Sequence, residues 1–446
     1  MALSLILTPL VPAQAQGMRS APTLIRDTEI ENWLREWAAP VIRAAGLEPK
    51  AVNFILVQDS NLNAFVAGGQ NIFIYTGLLL RSENAAEVVG VIAHETGHIR
   101  GGHLIRIGDA MEKAGYESML GALLGIGTAI VTGNGQAAAA VAAGVSGMAT
   151  SRLLSFSRVQ ESSADQAGLT YLQAAGLSPH GLVSFMDKLA DQELLPPTQQ
   201  TAYIRTHPLT RDRIEALTAG MKRSPHAQKP DPAEWADQHA RMKAKLVSFI
   251  SPERVAWDYG SNDQSAAARY ARTIADYRQN HVESALAGID GLLAEEPDNA
   301  YYHELKGQML VDFSRVKEAL PSYKKAVALD SDAALIRIAY AHALIESTGK
   351  GNDQASLTEA IKQLERARND EPRSTRINRL LATAYGRLGD DAAAKVYLAE
   401  EALLKRETEY AKRLATTAVE TLPAGSKHRI RAQDIISYIE QSDEKE

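Results

Sequence analysis

The chain has 446 residues, a formal net charge of −6 and no cysteine. Its length allows two or three domains with full cores, and mild acidity without a dense Lys/Arg run argues against a nucleic-acid partner. Without thiols there is no disulfide and no thiolate metal site, so any metal must be held by His, Asp or Glu.

Leu3 to Val11 is a short apolar run containing Pro9, followed by Ala13-Gln14-Ala15, the small-x-small pattern of a signal-peptidase site. No Lys or Arg precedes the run, and it is too short to span a bilayer. The expectation is a cleaved secretory signal over 1–15, a mature chain starting near Gln16 and, in a bacterium, a periplasmic location. Glu29 to Ala45 has the spacing of an amphipathic helix that stops at Gly46. Val52 to Val57 alternates as a strand. Asn63 to Gly69 and Asn71 to Tyr75 read as a short hairpin with a glycine turn. An extended peptide can add to the outer edge of such a hairpin through backbone hydrogen bonds.

Asn84 to Ala93 predicts a buried helix, apolar on most faces. Ser82 or Asn84 can cap its start, Glu87 fits a capping-box variant, and Gly101-Gly102 ends it. This helix carries His94-Glu95-Thr96-Gly97-His98. Histidines four residues apart on a helix point the same way, one turn above the other. That brings two imidazole nitrogens to one tetrahedral metal ion, normally zinc, and sets Glu95 beside them to take a proton from the attacking water. The plain alternative is a buried structural helix whose histidines bond backbone carbonyls.

A third ligand has two possible sources. In the pattern HExxHxxGxxH a histidine stands at position 104; here Gly101 matches, but position 104 is Leu104 and His103 falls one residue early. In the other scheme a later helix supplies a glutamate. Arg158 to Asp165 (RVQESSAD) sets Glu161 and Asp165 one turn apart. Glu161 would coordinate the metal, and Asp165 would hold the free ring nitrogen of a ligand histidine. Glu112 and Glu117 are weaker candidates without such a partner.

Met119 to Thr150 is Gly/Ala-rich and apolar, interrupted at Gly133-Asn134-Gly135, each half too short to cross a bilayer. It reads as a helical hairpin in the core or over a cleft, or as a surface that touches membrane or unfolded substrate. Ala219 to Trp257, with Pro225, Pro230 and Pro232, reads as a linker with one helix, Asp237 to Ile250. Beyond it small and apolar positions recur in register. Ala285, Ala319, Ala360 and Ala394 share one slot, Ile289, Tyr323, Leu364 and Leu398 another, and Gly307, Ala341 and Ala382 a third. The period is 34 residues, with a seven-residue insertion around Gly349 to Asn352. This resembles the tetratricopeptide repeat. Four units are expected from Ser265 to Lys405, capped by helices Glu407 to Leu422 and Ile430 to Gln441.

Asn63-Ala64-Phe65, Gly68-Gly69, Thr76-Gly77-Leu78, the HETGH run and RVQESSAD together resemble the membrane-associated gluzincin peptidases of the HtpX type. The signal and the repeats narrow the resemblance to their periplasmic BepA-like subgroup. The expected fold is mainly α with a small β-sheet. A gluzincin-type metallopeptidase domain covers 16–222, a linker with one helix 223–258, and an α-solenoid of tetratricopeptide repeats 259–446. The resemblance implies one Zn²⁺ held by His94, His98 and Glu161, Glu95 as general base, and Asp165 behind a ligand histidine. Asn63 and Gly68 would hold substrate backbone. It also implies degradation of stalled outer-membrane β-barrel proteins and assistance to their assembly machinery. Finally it draws attention to Thr206-His207-Pro208-Leu209. His207 would either stabilise an oxyanion or, as a neutral imidazole, take the open zinc position and hold the enzyme off. The competing function is a chaperone or adaptor with little proteolysis, in which the repeats dock a partner.

Overall fold

The β-branched and aromatic residues that alternate after Gly46 become strands of one sheet. The computed structural model describes residues 23–103, 158–190, 195, 200–349 and 353–443. The expected signal over 1–15, the apolar segment 119–150, Leu104, Glu112 and Glu117 lie outside the described residues. Two units are resolved by their internal contacts. The first comprises Met1–Ile25, Val41–Arg81 and Gly90–Ala227, and the second Arg26–Pro40, Ser82–Val89 and Gln228–Glu446.

In the first unit, β1 (Thr23–Ile25), β2 (Asn53–Gln58), β3 (Ala64–Ala67) and β4 (Asn71–Tyr75) form a four-stranded sheet in the order β1-β2-β4-β3. β3 and β4 make the expected antiparallel hairpin, with Phe65 opposite Phe73. Gly68 and Gly69 turn it at φ of 58° and 93°, a region that side chains disfavour. β2 runs parallel to β4 and antiparallel to β1, so the sheet is larger than the hairpin. Three residues of β1 are too few to show a period in sequence. One face buries Ile55, Val57, Phe65, Phe73 and Tyr75, with the rings of Phe65 and Phe73 stacked at 4.9 Å. β3 lies at the sheet edge.

The helices begin with α1 (Thr28–Ala44), which ends before Gly46 at φ 72°. α2 (Thr76–Arg81) follows β4 directly, and α3 (Ala85–Arg100) carries the paired histidines. Asn84 Oδ1 accepts from the Glu87 N–H at 3.0 Å, and Glu87 Oε2 accepts from the Glu83 N–H at 2.9 Å, the reciprocal pattern of a capping box. Ser82 is not the cap; its hydroxyl bonds His239 Nε2 at 2.8 Å. Next come α4 (Arg158–Ala174), α5 (His180–Asp187), α6 (Ala202–Thr206) and α7 (Arg211–Arg223). α3 and α4 approach closely because small residues meet. A Cβ on Gly97 would stand 2.8 Å from the Ala164 carbonyl oxygen, and one on Gly168 3.3 Å from the His94 nitrogen. That approach lays the first turns of α4 against the histidine face of α3.

In the second unit, α8 (Glu234–Ile250) and the short α9 (Val255–Asp258) precede helix pairs. These are α10 (Ala266–Arg278) with α11 (Val282–Glu295), α12 (Ala300–Asp312) with α13 (Val316–Leu329), α14 (Ala334–Ser347) with α15 (Gln354–Ala367), and α16 (Thr375–Arg387) with α17 (Asp391–Leu404). α18 (Thr408–Thr421) and α19 (Lys427–Asp443) follow. The starts at Ala266, Ala300 and Ala334 keep the 34-residue interval. Ala285, Ala319 and Ala360 are wholly buried, as their shared slot requires. Asn280, Ser314 and Gly389 turn the chain within three pairs in left-handed conformation. The next N–H in each bonds back to a carbonyl five residues earlier, for example His281 to Asp276 at 2.8 Å and Arg315 to Leu310 at 2.7 Å. An ion cluster lies beneath the first pair. Lys245 Nζ donates to Asp27 Oδ2 at 2.8 Å and Glu29 Oε2 at 2.9 Å, and the Tyr270 hydroxyl donates to Glu29 Oε2 at 2.9 Å. Among the described residues no helix is long and apolar enough to cross a membrane.

Candidate metal centre

His94 and His98 leave α3 on the face pressed against α4, and both are fully buried. Their Nε2 atoms are 3.1 Å apart. Glu161, in the first turn of α4, reaches between them, with Oε2 3.4 Å from His94 Nε2 and Oε1 3.4 Å from His98 Nε2. His207, just past α6, joins from a third direction, its Nδ1 3.2 Å from Glu161 Oε1. One ligand atom from each of these four residues lies within 4.8 Å of the others.

The donor set fits zinc. Bonds of about 2.0–2.1 Å in a tetrahedron put ligand atoms about 3.3 Å apart, close to the separations among His94, His98 and Glu161. Glu95 adds a second sign. It is fully buried, and among the described residues neither carboxylate oxygen has a hydrogen-bond partner; His207 Nε2 stands 3.5 Å from Oε1. A buried carboxylate is costly unless something meets it, so this pocket is shaped for a group that brings positive charge or protons.

Electrostatics separate the two histidines. Burial disfavours charge on His94, but hydrogen bonds to Asp165 and Glu161 outweigh it and push the ring up to about 10. Burial dominates at His98 and holds it down to about 3. Glu95 is raised above the usual carboxylate range by burial. Burial also opposes ionisation of Glu161, yet His207, His94 and His98 hold it well below that range.

Asp165, one turn beyond Glu161, accepts from His94 Nδ1 at 2.9 Å. Behind it stands Arg213, a residue that carried no signal in the sequence. From the first turn of α7 it donates Nε to Asp165 Oδ2 at 2.6 Å and Nη2 to Oδ1 at 2.9 Å, while Nη1 lies 2.9 Å from Glu161 Oε2. Its fork neutralises two buried carboxylates at once. His103 lies outside the four-residue cluster but sits against one of its members, with Nδ1 2.9 Å from His98 Nδ1. Tyr203 packs its ring on His207 at 4.7 Å between centroids.

Asn63 and Gly68 sit at opposite ends of β3. Asn63 is buried; its Oδ1 accepts from the Thr206 hydroxyl at 3.3 Å, and its neighbour Ala64 accepts from His207 Nε2 at 3.2 Å through the carbonyl. Gly68 is exposed in the hairpin turn, its carbonyl accepting from Asn71 Nδ2 at 2.6 Å. About 13 Å of strand separates it from Ala64.

Residues 28–220 match Peptidase family M48. The chain is similar to the "Beta-barrel assembly-enhancing protease" of Escherichia coli (strain K12), 25% identical over 317 residues that cover 69% of this chain and 64% of that protein. It therefore spans about 64% of the length of that relative. It is also similar to the "Putative beta-barrel assembly-enhancing protease" of Vibrio cholerae, 23% identical over 426 residues, covering 94% and 86%. A third relative, "Metalloprotease LoiP" of Escherichia coli (strain K12), is 30% identical over 181 residues, covering 38% of this chain and 63% of that protein. Residues 28–220 are thus similar to the metallopeptidases of family M48, and the match together with the clustered His94, His98, Glu161 and His207 supports a metalloendopeptidase with zinc as its metal.

Proposed function

We propose that the chain is a zinc endopeptidase acting in the periplasm on misfolded or stalled outer-membrane β-barrel proteins, with its repeats recruiting substrate or assembly machinery. The observation that carries the catalytic part is the buried, unpartnered carboxylate of Glu95 beside His94, His98 and Glu161. His94, His98 and Glu161 would hold the metal. Bound zinc supplies Lewis acidity, polarising the scissile carbonyl and acidifying the attacking water. Glu95 accepts the proton of that water on its carboxylate and passes it to the leaving amine. Asp165 keeps the proton of His94 on Nδ1, so that Nε2 faces the metal. The outer edge of β3, between Asn63 and Gly68, would pair with an extended substrate. The relatives' names support the substrate class, and the helix-pair repeats offer a protein-binding surface. The run over 3–15 supports the location.

Glu95→Gln tests the chemistry: zinc content should stay at one per chain while cleavage of an unfolded β-barrel protein falls by about 10²–10⁴-fold. Cleavage at the wild-type rate by the zinc-loaded variant would remove Glu95 from the mechanism. The same variant separates the alternative function, because an adaptor would keep its cellular role without cleaving.

His207 acts as a gate. Its ring nitrogens lie among the three proposed ligands and within 3.5 Å of Glu95, so His207 could itself bind a metal held there and stand in the way of substrate. His207→Ala is expected to raise proteolysis. A collapse of activity would instead make His207 an oxyanion donor, and no change would end both roles.

A further inference from the structure

The two histidines of α3 are backed by different chemistry. His94 Nδ1 faces the Asp165 carboxylate at 2.9 Å, whereas His98 Nδ1 faces another imidazole, His103 Nδ1, also at 2.9 Å. Two ring nitrogens this close share one proton, one donating and the other accepting. His98 turns its Nε2 toward His94 Nε2 and Glu161 Oε1, at 3.1 and 3.4 Å. For Nε2 to offer a lone pair there, the proton of the neutral ring must sit on Nδ1. His98 is then the donor and His103 Nδ1 the acceptor, which leaves the proton of His103 on its own Nε2.

The chain is shaped to bring His103 to this point. α3 ends at Arg100, and Gly102 takes a φ of 62°. The His103 N–H returns to the His98 carbonyl at 3.2 Å, a turn that folds the chain back over the last helical residues. A Cβ on Gly101 would lie 2.6 Å from His103 Nε2, so the ring fills space that any other residue at 101 would need. The rings of His98 and His103 meet edge to face, 5.0 Å between centroids and 72° between planes.

We propose that His103 is a positioning residue of the zinc centre: it accepts the His98 Nδ1–H and so fixes the tautomer that presents Nε2 to the metal. It orients the ligand as Asp165 orients His94, without adding another negative charge to a centre that already buries Glu95, Glu161 and Asp165. This rests on the reading of His98 as a zinc ligand.

The test uses the full chain and Zn²⁺ alone, titrated in competition with a chromophoric chelator. His103→Leu fills the space but accepts nothing, and zinc affinity should fall by about 10–100-fold. His103→Asn, whose Oδ1 can accept, should recover most of that loss, while the melting temperatures of the metal-free proteins stay together. Wild-type affinity in His103→Leu overturns the proposal, as does an Asn variant no better than Leu. Ring ¹⁵N spectra of the zinc-loaded wild type need no variant to fold. They should show the proton on Nδ1 of His98 and on Nε2 of His103; a proton on His98 Nε2, or a doubly protonated His103, overturns it too. Failure of the ligand set looks different. If wild type binds no zinc, or His98→Ala binds it as tightly, the reading of His98 falls and the proposal falls with it.

Discussion

Glu95 in the first unit and Glu29 in the second are equally buried carboxylates, and burial raises both above the usual range. Their company differs. Glu29 receives Lys245 and Tyr270 on one oxygen, so its charge binds the first turn of α1 to α8 and α10. Glu95 has no hydrogen-bond partner on either oxygen among the described residues. A carboxylate that is met on arrival holds structure together, while one left waiting is available for proton transfer. Location in the core does not separate the two roles; satisfaction does.

The largest expected effect on folding comes from taking the partner away from Glu29. Lys245→Ala leaves two acidic groups beside one another without their cation, and denaturant unfolding should show a loss of about 3–5 kcal/mol. Glu95→Gln, in contrast, should leave stability unchanged or higher, since it removes a buried charge that no hydrogen bond meets among the described residues. If Glu95→Gln destabilised as much as Lys245→Ala, the distinction would collapse.

Glycines sharpen the comparison at a smaller scale. Gly97→Ala would set a methyl against the backbone of Ala164, 2.8 Å from its carbonyl oxygen, and push α4 with Glu161 away from α3. The expected result is about 1–3 kcal/mol of lost stability together with weaker zinc binding. Gly307→Ala meets first the ring of Tyr323, at 2.9 Å, in the second unit. It should cost stability in the same range or less, with zinc affinity and proteolysis untouched. A change in zinc affinity there would show that the site is sensitive to the repeats. The smallest effect should come from Asn84→Ala, which removes the cap of α3 and lowers the melting temperature by an amount equivalent to about 1 kcal/mol.

What the sequence made legible was what is encoded by local spacing. The hairpin between Ala64 and Tyr75, the helix through His94 and His98, and the repeat from Ser265 to Lys405 each show a period of their own. Glu161 and Asp165 could be picked out because ExxxD sets two carboxylates on one helix face. The parallel pairing of β2 with β4 and the arrival of β1 depend on contacts between distant segments, and no local period announces them. Arg213 was invisible for the same reason: it stands 48 positions after Asp165. His103 falls one residue early for a ligand of the HExxHxxGxxH pattern, and the same slip brings it to the back of His98.

The short helix α6 has a consequence of its own. Its five residues are too few to persist unaided, and three successive residues of the neighbouring segment fasten it and the residue after it. The Leu62 carbonyl takes the Tyr203 N–H at 3.1 Å, Asn63 takes the Thr206 hydroxyl, and Ala64 takes His207 Nε2. Such fastenings act as a zip rather than as separate ties: each is worth about 0.5–1.5 kcal/mol net, and losing one loosens the next. If His207 gates the site as proposed, its retreat would have to undo these fastenings together, and exposure of Glu95 would then come in steps rather than by degrees.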